Sequence, residues 1–302
     1  MTTAYSGDGI TFPDNSVQAT APRVGMVNRI INGDMRIDQR NAGASVSIIT
    51  APFTLDRWAA QTSTGGSVQQ ITSTITGFAN SFKYTSSASN AYLQMGQQIE
   101  YLNCYDLQNV TVSISFWAKA NNSNAGSTAM VVRTRTVAGI NGAARFSGPN
   151  VDTSVTITTS AVQYTVTRTL PATFGALSLE FVLGANVSGD GFEITGVQLE
   201  KGSTATDFEY VDYGRQLQMC QRYTYAPTLN AVSASTTLNG NQYFTLPFPV
   251  VMRATPTYAI QSGAWGGSTP TNDGASNGNI RFASGSSFYA TGGVTLLLSA
   301  EL

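Results

Sequence analysis

The sequence predicts an all-β protein built from antiparallel sandwiches, and three observations lead to this fold class. Apolar and polar residues alternate with a period of two in many stretches, such as 110–117 and 177–183, as strands with one buried face require. Turns that contain Asn, Gly or Pro separate such stretches, for example at 120–128 and 184–191. A helical period of 3.6 is convincing only at 213–223.

Residues 1–22 predict an N-terminal docking arm. Pro13-Asp14-Asn15 is typical of a turn, so the segment would form a small hairpin or an extended arm. So short a segment cannot bury its own apolar side chains, Ile10, Phe12 and Val17. We therefore expect these three residues to dock against another chain.

Residues 23–208 predict the main antiparallel β-sandwich. In 110–117 the apolar face carries Val112, Ile114 and Phe116, and Trp117 falls on the opposite face. Asp56-Arg57-Trp58 indicates a buried tryptophan beside a guanidinium that is held by a carboxylate, either Asp56 or Glu200. Further strand candidates are 131–137, 162–170 and 192–199.

A helical linker is predicted over 209–223. Tyr213, Leu217 and Cys220 fall at i, i+4 and i+7, which places them on one helix face. Because so short a helix is marginal without packing, we expect this face to lie against the main sandwich.

Residues 224–302 predict a second, smaller C-terminal β-sandwich. Strand alternation resumes at 243–246 and 294–301, and a loop rich in Gly, Ser, Asn and Thr is predicted over 262–279. A unit of roughly 80 residues has a thin core, and assembly with copies of itself is a common way to add stability. We therefore expect a homo-oligomer.

The composition excludes several classes of function. The chain has 302 residues with 16 basic and 17 acidic side chains, for a net charge of -1, so no overall field favours nucleic acid. It contains no histidine, which excludes Ser-His-Asp and Cys-His nucleophiles and His-bearing zinc sites. We expect no enzyme activity, no cofactor and no nucleic-acid partner.

Cysteine usage and apolar runs add two expectations. Cys104 and Cys220 lie far apart, without the paired spacing of a metal or redox site; one disulfide or two buried thiols would fit, and the thiols are favoured. The chain begins without a basic start followed by an apolar run, and no apolar run approaches the roughly 20 residues of a spanning helix. We expect neither a secretory signal nor membrane insertion.

Several short motifs follow one another between residues 10 and 223. They are the leader 10–20, Asn28-Arg29-Ile30-Ile31-Asn32-Gly33-Asp34, Leu55-Asp56-Arg57-Trp58, Gln98-Ile99-Glu100, Ser115-Phe116-Trp117-Ala118-Lys119, Val197-Gln198-Leu199-Glu200-Lys201-Gly202, Ala205-Thr206-Asp207-Phe208-Glu209 and Cys220-Gln221-Arg222-Tyr223. In their order and spacing these motifs resemble bacteriophage tail-fibre and virion-fibre proteins that carry a jelly-roll domain similar to carbohydrate-binding modules. In the C-terminal unit, 248–256 matches only loosely.

The resemblance implies a structural protein of a phage virion, made in the host cytoplasm. It implies a jelly-roll sandwich, a homotrimer, a virion protein that holds residues 1–22, and attachment to a host cell-surface glycan. A tail fibre or spike is favoured, and a fibre that decorates the capsid is the alternative. Related jelly rolls often hold calcium, which here would draw oxygen ligands from near Asn32, Asp34 and Glu200.

The predicted ligand-binding residues lie in the C-terminal unit. A sugar site needs an aromatic face and polar groups for the hydroxyls, and Trp265 is flanked by glycines and followed by Asn272, Asp273 and Asn277. The alternative is that Trp265 caps the small core or a subunit contact.

Two other functions compete with the virion protein. A glycan depolymerase could use paired carboxylates without histidine, such as Glu100 with Asp106 or Glu193 with Glu200. A cellular carbohydrate-binding module would share the fold but have no need of the arm.

Overall fold

The computed structural model describes residues 26–49, 53–137, 146–230, 242–290 and 293–301, and the backbone of 4–6, 9–11, 17–18, 236–238 and 241. Within these residues no helix is long and apolar enough to cross a membrane. Strands dominate and the helices are short, so the prediction of an all-β fold is confirmed.

Three short strands lie in the predicted arm: β1 (Ala4–Ser6), β2 (Gly9–Thr11) and β3 (Val17–Gln18). They form one antiparallel sheet in the order β1-β2-β3, with Thr11 opposite Val17. Of the two predicted forms, a small hairpin or an extended arm, the antiparallel pairing of β2 with β3 is that of a hairpin; the predicted turn, Pro13-Asp14-Asn15, lies outside the described residues. Phe12 and the side chains of Ile10 and Val17 lie outside the described residues, so their docking role stays a prediction.

The main sandwich consists of two antiparallel sheets. The five-stranded sheet has the order β11-β10-β13-β8-β5, and the six-stranded sheet has the order β12-β9-β14-β7-β6-β4. The strands are β4 (Val46–Ile48), β5 (Ala59–Thr62), β6 (Gly66–Thr72), β7 (Asn80–Ser86), β8 (Leu93–Ile99), β9 (Thr111–Ala120), β10 (Ala129–Val137), β11 (Asn150–Thr156), β12 (Val162–Thr169), β13 (Ala176–Leu183) and β14 (Gly191–Lys201). Two 3₁₀ helices, Tyr101–Asn103 and Tyr105–Leu107, follow β8, and α1 (Ala125–Thr128) precedes β10.

The period-two pattern places the apolar faces of the two sheets against each other. Ile114 and Phe116 of β9 and Leu179 and Phe181 of β13 are fully buried in one core, and the rings of Phe116 and Phe181 meet edge to face with centroids 4.8 Å apart. Trp117 lies on the opposite face, as predicted, and packs against Phe78 there.

Helix α2 (Tyr213–Gln221) connects the main sandwich to the second lobe. Asp212 caps it, because its Oδ1 accepts hydrogen bonds from the backbone N–H groups of Gly214 and Arg215. The predicted packed face is partly wrong: Cys220 is buried but Tyr213 is exposed, and Gln216 is the second buried residue.

Both cysteines are free and buried, which confirms the prediction of two thiols. Burial raises the pKa of the Cys104 thiol to about 12 and raises the pKa of Cys220 as well. Both groups therefore stay protonated and unreactive at neutral pH.

The second lobe also has two main antiparallel sheets. In one, β24 pairs with β15, β16 and β19; the other has the order β17-β18-β22-β21, and β20 pairs with β23. The strands are β15 (Thr224–Tyr225), β16 (Thr228–Leu229), β17 (Thr236–Leu238), β18 (Asn241–Pro247), β19 (Thr257–Ser262), β20 (Trp265–Gly267), β21 (Thr271–Ala275), β22 (Asn279–Ser284), β23 (Phe288–Ala290) and β24 (Val294–Ser299). Leu246, Phe282, Leu296 and Leu298 from both sheets share its core.

The prediction of a loop over 262–279 was wrong. Two strands, β20 and β21, form within it because backbone pairing with β23 and β22 satisfies their peptide groups. Both strands are mostly exposed. A strand without a buried face has no alternation of apolar and polar residues, so the period-two pattern could not predict them.

An ionic cluster joins the two lobes. Arg57 is 1% exposed and donates through Nη1 to Glu301 and through Nη2 to the carbonyl of Gln98 at 2.5 Å. Arg40 lies 3.3 Å from Glu301, and Thr224 donates to the same carboxylate at 3.0 Å. The predicted partners of Arg57, Asp56 or Glu200, were wrong: its carboxylate comes from the second lobe, where sequence spacing gives no indication.

Candidate functional site

A cleft of about 330 Å³ lies where the chain entering the main sandwich, the end of β8 and α2 meet. Its walls come from residues within 26–31, 97–100 and 215–223, together with Arg57 and Asn103. We call this space the cleft. Its volume falls in the range typical of small-ligand sites, roughly 300–1,000 Å³.

The wall formed by residues 26–31 is held against β14 by side-chain hydrogen bonds. Asn28 Nδ2 donates to the carbonyl of Val197 at 3.0 Å, and its Oδ1 accepts from the Leu199 N–H at 3.1 Å. Glu209 Oε2 accepts from the N–H groups of Val27 and Asn28 at 2.8 and 2.7 Å. This wall is fixed in position although it is not part of a strand.

Two adjacent glutamines of β8 line the cleft in different ways. The Gln97 amide donates to the Ile31 carbonyl at 2.8 Å and accepts from the Ile31 N–H at 2.9 Å. Gln98 is 5% exposed, and neither its Oε1 nor its Nε2 has a hydrogen-bond partner among the described residues. A buried amide without partners costs free energy, about 1–3 kcal/mol for each group.

Unpartnered polar atoms are concentrated at the cleft. Ten buried side-chain N or O atoms in the described part of the chain lack a hydrogen-bond partner, and four belong to residues that line the cleft: Arg29 Nε, Arg57 Nε and both polar atoms of Gln98. Each such group in a native protein calls for an explanation, such as a bound ligand or water. Four unpartnered atoms thus belong to residues of the cleft lining, and two of these residues, Arg57 and Gln98, also line a narrow cavity beside it.

The cleft also carries several ionic groups. Arg29 forms a two-point contact with Asp106 at 3.1 and 2.8 Å, and Arg222 lies 3.1 Å from Glu100. The Arg57 guanidinium lies 3.6 Å from the ring centroid of Tyr223, whose pKa is raised to about 12 by burial. Arg215 is exposed on α2 and forms no ion pair among the described residues.

A second, narrow cavity shares two lining residues, Arg57 and Gln98, with the cleft. About 10 Å³ in volume, it is lined by Phe53, Arg57, Gly96, Gln98, Phe146 and Ser178, and it has room for about one water molecule. Beside it, Arg135 Nε donates to both carboxylate oxygens of Glu180 at 2.9 Å. Burial raises the pKa of Glu180, and the adjacent guanidinium opposes this rise.

The predicted ligand-binding residues of the second lobe are not brought together by any contact within the described part of the chain. Trp265 is half-buried and packs on Phe282 and Phe288, with ring centroids 5.9 and 5.6 Å away. Asn272, Asp273 and Asn277 are exposed, and Asp273 pairs with Arg281 at 2.6 Å. Trp265 thus packs as expected of a residue that caps the small core, which was the alternative to sugar binding. A ligand role for the four residues stays a prediction.

The four carboxylates considered for a depolymerase each have other partners. Glu100 pairs with Arg222 and Asp106 with Arg29. Glu193 accepts from Thr74 N–H and Oγ1 at 2.9 and 2.6 Å, and Glu200 accepts from Thr206 at 2.7 and 2.8 Å. These contacts give each of the four carboxylates a structural role, and the absence of enzyme activity stays a prediction.

The residues considered for calcium have structural partners as well. Asn32 Oδ1 accepts from Ile37 N–H at 3.0 Å, and Asp34 pairs with Arg36. Among the described residues, no group of three or more His, Cys, Asp or Glu side chains could hold a metal ion. The resemblance remains the only support for the calcium prediction.

Sequence reasoning missed the cleft, although part of its wall was noticed. Gln98 and Glu100 belong to one of the motifs that carry the resemblance, and Asn28 and Arg222 belong to others. These motifs lie far apart in sequence, and strand pairing and α2 bring them to one place. A shared position of several motifs is the signal that could have indicated a site.

No protein-family model matches the chain, and no curated protein is significantly similar to it. Among solved structures it is similar to the enzymatically active domain of tailspike protein 4 from bacteriophage CBA120, with 17% identity and a TM-score of 0.37 over 58% of this chain and 22% of that one. It is also similar to a family 16 carbohydrate-binding module, with 18% identity and a TM-score of 0.32 over 44% of this chain and 84% of that one.

A further similar structure is the CBM22-1 xylan-binding domain from Paenibacillus barcinonensis Xyn10C. Identity is 16% and the TM-score 0.34, over 55% of this chain and 99% of that one. This chain thus spans about a fifth of the tailspike domain. At these identities and TM-scores, the likenesses add nothing to the fold described above.

Proposed function

We propose that this chain is a glycan-binding fibre protein of a bacteriophage virion, with a saccharide held in the cleft. The observation that carries the glycan part is Gln98, a buried amide on the cleft wall whose donor and acceptor both lack partners among the described residues. A ligand that offers a donor and an acceptor side by side would satisfy both groups.

A saccharide hydroxyl is such a group, since it donates one hydrogen bond and accepts two. The cleft also offers apolar surface for the C–H faces of a sugar ring, from Met26, Ile31 and Met219. Glu100 and Arg222 add charged hydrogen-bonding groups beside Gln98. Apolar surface combined with a few fixed polar groups is what small-ligand sites require.

The virion part of the proposal is supported by the sequence. The motifs between residues 10 and 223 resemble phage fibres, and the β-lobes follow a predicted docking arm. We propose a homotrimer that another virion protein holds through residues 1–22, as a tail fibre or spike. A capsid-decorating fibre is the second placement, and no reaction is proposed for the chain.

The first test replaces Gln98 by Met, which keeps the length of the side chain and removes both polar atoms. We expect binding of the full chain to a printed array of bacterial capsule and lipopolysaccharide glycans to fall at least about tenfold, because the ligand loses two hydrogen bonds. The free energy of unfolding should stay unchanged or rise by about 1–2 kcal/mol, because no side-chain hydrogen bond within the described protein is lost.

Two neighbouring glutamines serve as controls. Gln94 lies on β8 outside the cleft, so Gln94→Met should leave array binding intact. Gln97→Met should destabilise the fold by about 1–3 kcal/mol, since it orphans the N–H and carbonyl of Ile31. Unchanged glycan binding by Gln98→Met, or the absence of any bound glycan, would contradict the proposed site.

The second test concerns assembly. Light scattering on the purified chain should give three times the monomer mass of 31.9 kDa, and deletion of residues 1–22 should prevent incorporation into phage particles. A monomer at micromolar concentration, or normal incorporation without the arm, would count against the fibre. Labelled antibody on intact particles would separate tail from capsid placement.

A further inference from the structure

We infer that the cleft selects an acidic saccharide, one whose ring carries a carboxylate or a phosphate. This inference rests on the proposed function and names the class of glycan. Two independent observations support it, the charge of the cleft wall and the kind of polar atoms that lack partners.

The charges that line the cleft do not balance. Four guanidinium groups line it, from Arg29, Arg57, Arg215 and Arg222. Three carboxylates neutralise three of these, since Asp106 pairs with Arg29, Glu301 with Arg57 and Glu100 with Arg222. The lining residues themselves supply four cations and one anion, Glu100, and Arg215 is the lining cation that has no ion pair among the described residues.

The unpartnered atoms point in the same direction. Three of the four are N–H donors, Arg29 Nε, Arg57 Nε and Gln98 Nε2, and one is an acceptor, Gln98 Oε1. A hydroxyl group donates as well as accepts, whereas a carboxylate or an ionised phosphate supplies mainly acceptor oxygens. A ligand that adds an anionic group to its hydroxyls matches this excess of donors.

Helix α2 arranges its contribution in a row. Arg215, Met219 and Arg222 stand at i, i+4 and i+7, on one side of the helix, and all three line the cleft. At 1.5 Å per residue, the two arginines are about 10 Å apart along the helix axis, with an apolar side chain between them. A sugar could lie over Met219 while its anionic group meets Arg215.

The test compares matched sugars on the full chain by titration calorimetry. The probes are α-1,4-linked trigalacturonate, the neutral α-1,4-linked galactotriose that differs only at C6, and the same neutral trisaccharide phosphorylated at O6. We expect an anionic probe to bind about tenfold more tightly than the neutral one at low salt, and the advantage to shrink as salt is added. The carboxylate and phosphate arms distinguish the two sources of charge.

Variants of Arg215 test whether this residue causes the preference for anionic sugars. Arg215→Gln should remove most of the preference, and Arg215→Lys should keep much of it because the charge remains. Arg281→Gln changes the net charge equally but lies in the second lobe, so it should retain the preference. A preference that survives Arg215→Gln would overturn the inference.

Two different sets of binding results would contradict the charge preference and the glycan-binding function. Equal binding of neutral and anionic sugars that is lost in Gln98→Met would overturn the charge preference and leave a glycan-binding cleft in place. If none of the probes binds and the array of bacterial glycans is negative as well, the proposed function fails and the inference falls with it.

Discussion

Replacing Arg57 by Met is expected to lower the free energy of unfolding by about 3 kcal/mol. Glu301, whose side chain is 3% exposed, would remain between the two lobes and keep, among the described residues, Arg40 and Thr224 as side-chain partners. Removing one member of a buried ion pair typically costs about 3–5 kcal/mol because the other charge stays buried. Urea unfolding followed by tryptophan fluorescence measures this loss.

Two variants test whether the uncompensated charge causes the loss. Arg57→Met combined with Glu301→Gln removes the carboxylate that Arg57→Met leaves behind, and it should recover part of the stability. Arg40, whose side chain is 8% exposed, then keeps its hydrogen bonds to Thr224 and Ser299 but has no ion pair among the described residues. Arg133→Met is the control for a surface pair, since Arg133 and Asp152 are 19% and 38% exposed, and it should cost under about 1 kcal/mol. A double variant as unstable as Arg57→Met alone would show that the carboxylate of Glu301 does not cause the loss, which would then come from packing on Tyr223 or from Arg40.

Much of the fold follows from local pattern. In β9 and β13 every second residue is apolar, and a sheet with one face in a core needs that alternation. The main strands and the position of α2 could therefore be predicted. The burial of Gln216 instead of Tyr213 could not, because the face that a short helix turns inward depends on its neighbours.

The cleft and the ionic cluster between the lobes depend on contacts between residues far apart in the sequence, which no local pattern predicts. Arg57 meets Glu301 across 244 positions, and the cleft combines residues 26–31, 97–100 and 215–223. Only the final packing decides that Gln97 finds partners and Gln98 does not. Trp265, which its flanking glycines favoured for binding, packs against the core of the second lobe, and its ligand role stays a prediction.

A single added methyl group is expected to have a large effect at Gly33. A Cβ at this position would lie 2.1 Å from the Val197 carbonyl oxygen and 3.2 Å from its carbon, and backbone atoms of a central strand cannot move aside easily. Gly33→Ala should therefore push the 26–33 segment away from β14 and weaken two hydrogen bonds, Val197 N–H to the Gly33 carbonyl and Asn28 Nδ2 to the Val197 carbonyl. We expect a loss of about 3 kcal/mol in the free energy of unfolding, from overpacking together with the weakened bonds.

Gly184→Ala provides the matched control, because no atom lies within 4 Å of the added Cβ, and it should change stability by less than about 0.5 kcal/mol. Gly33→Ala should also weaken glycan binding at temperatures where the variant is still folded, since the displaced segment carries Met26, Asn28 and Arg29 of the cleft wall. A Gly33→Ala variant with wild-type stability would mean that the 26–33 segment can shift without cost. The part of the cleft wall that this segment forms would then be adaptable.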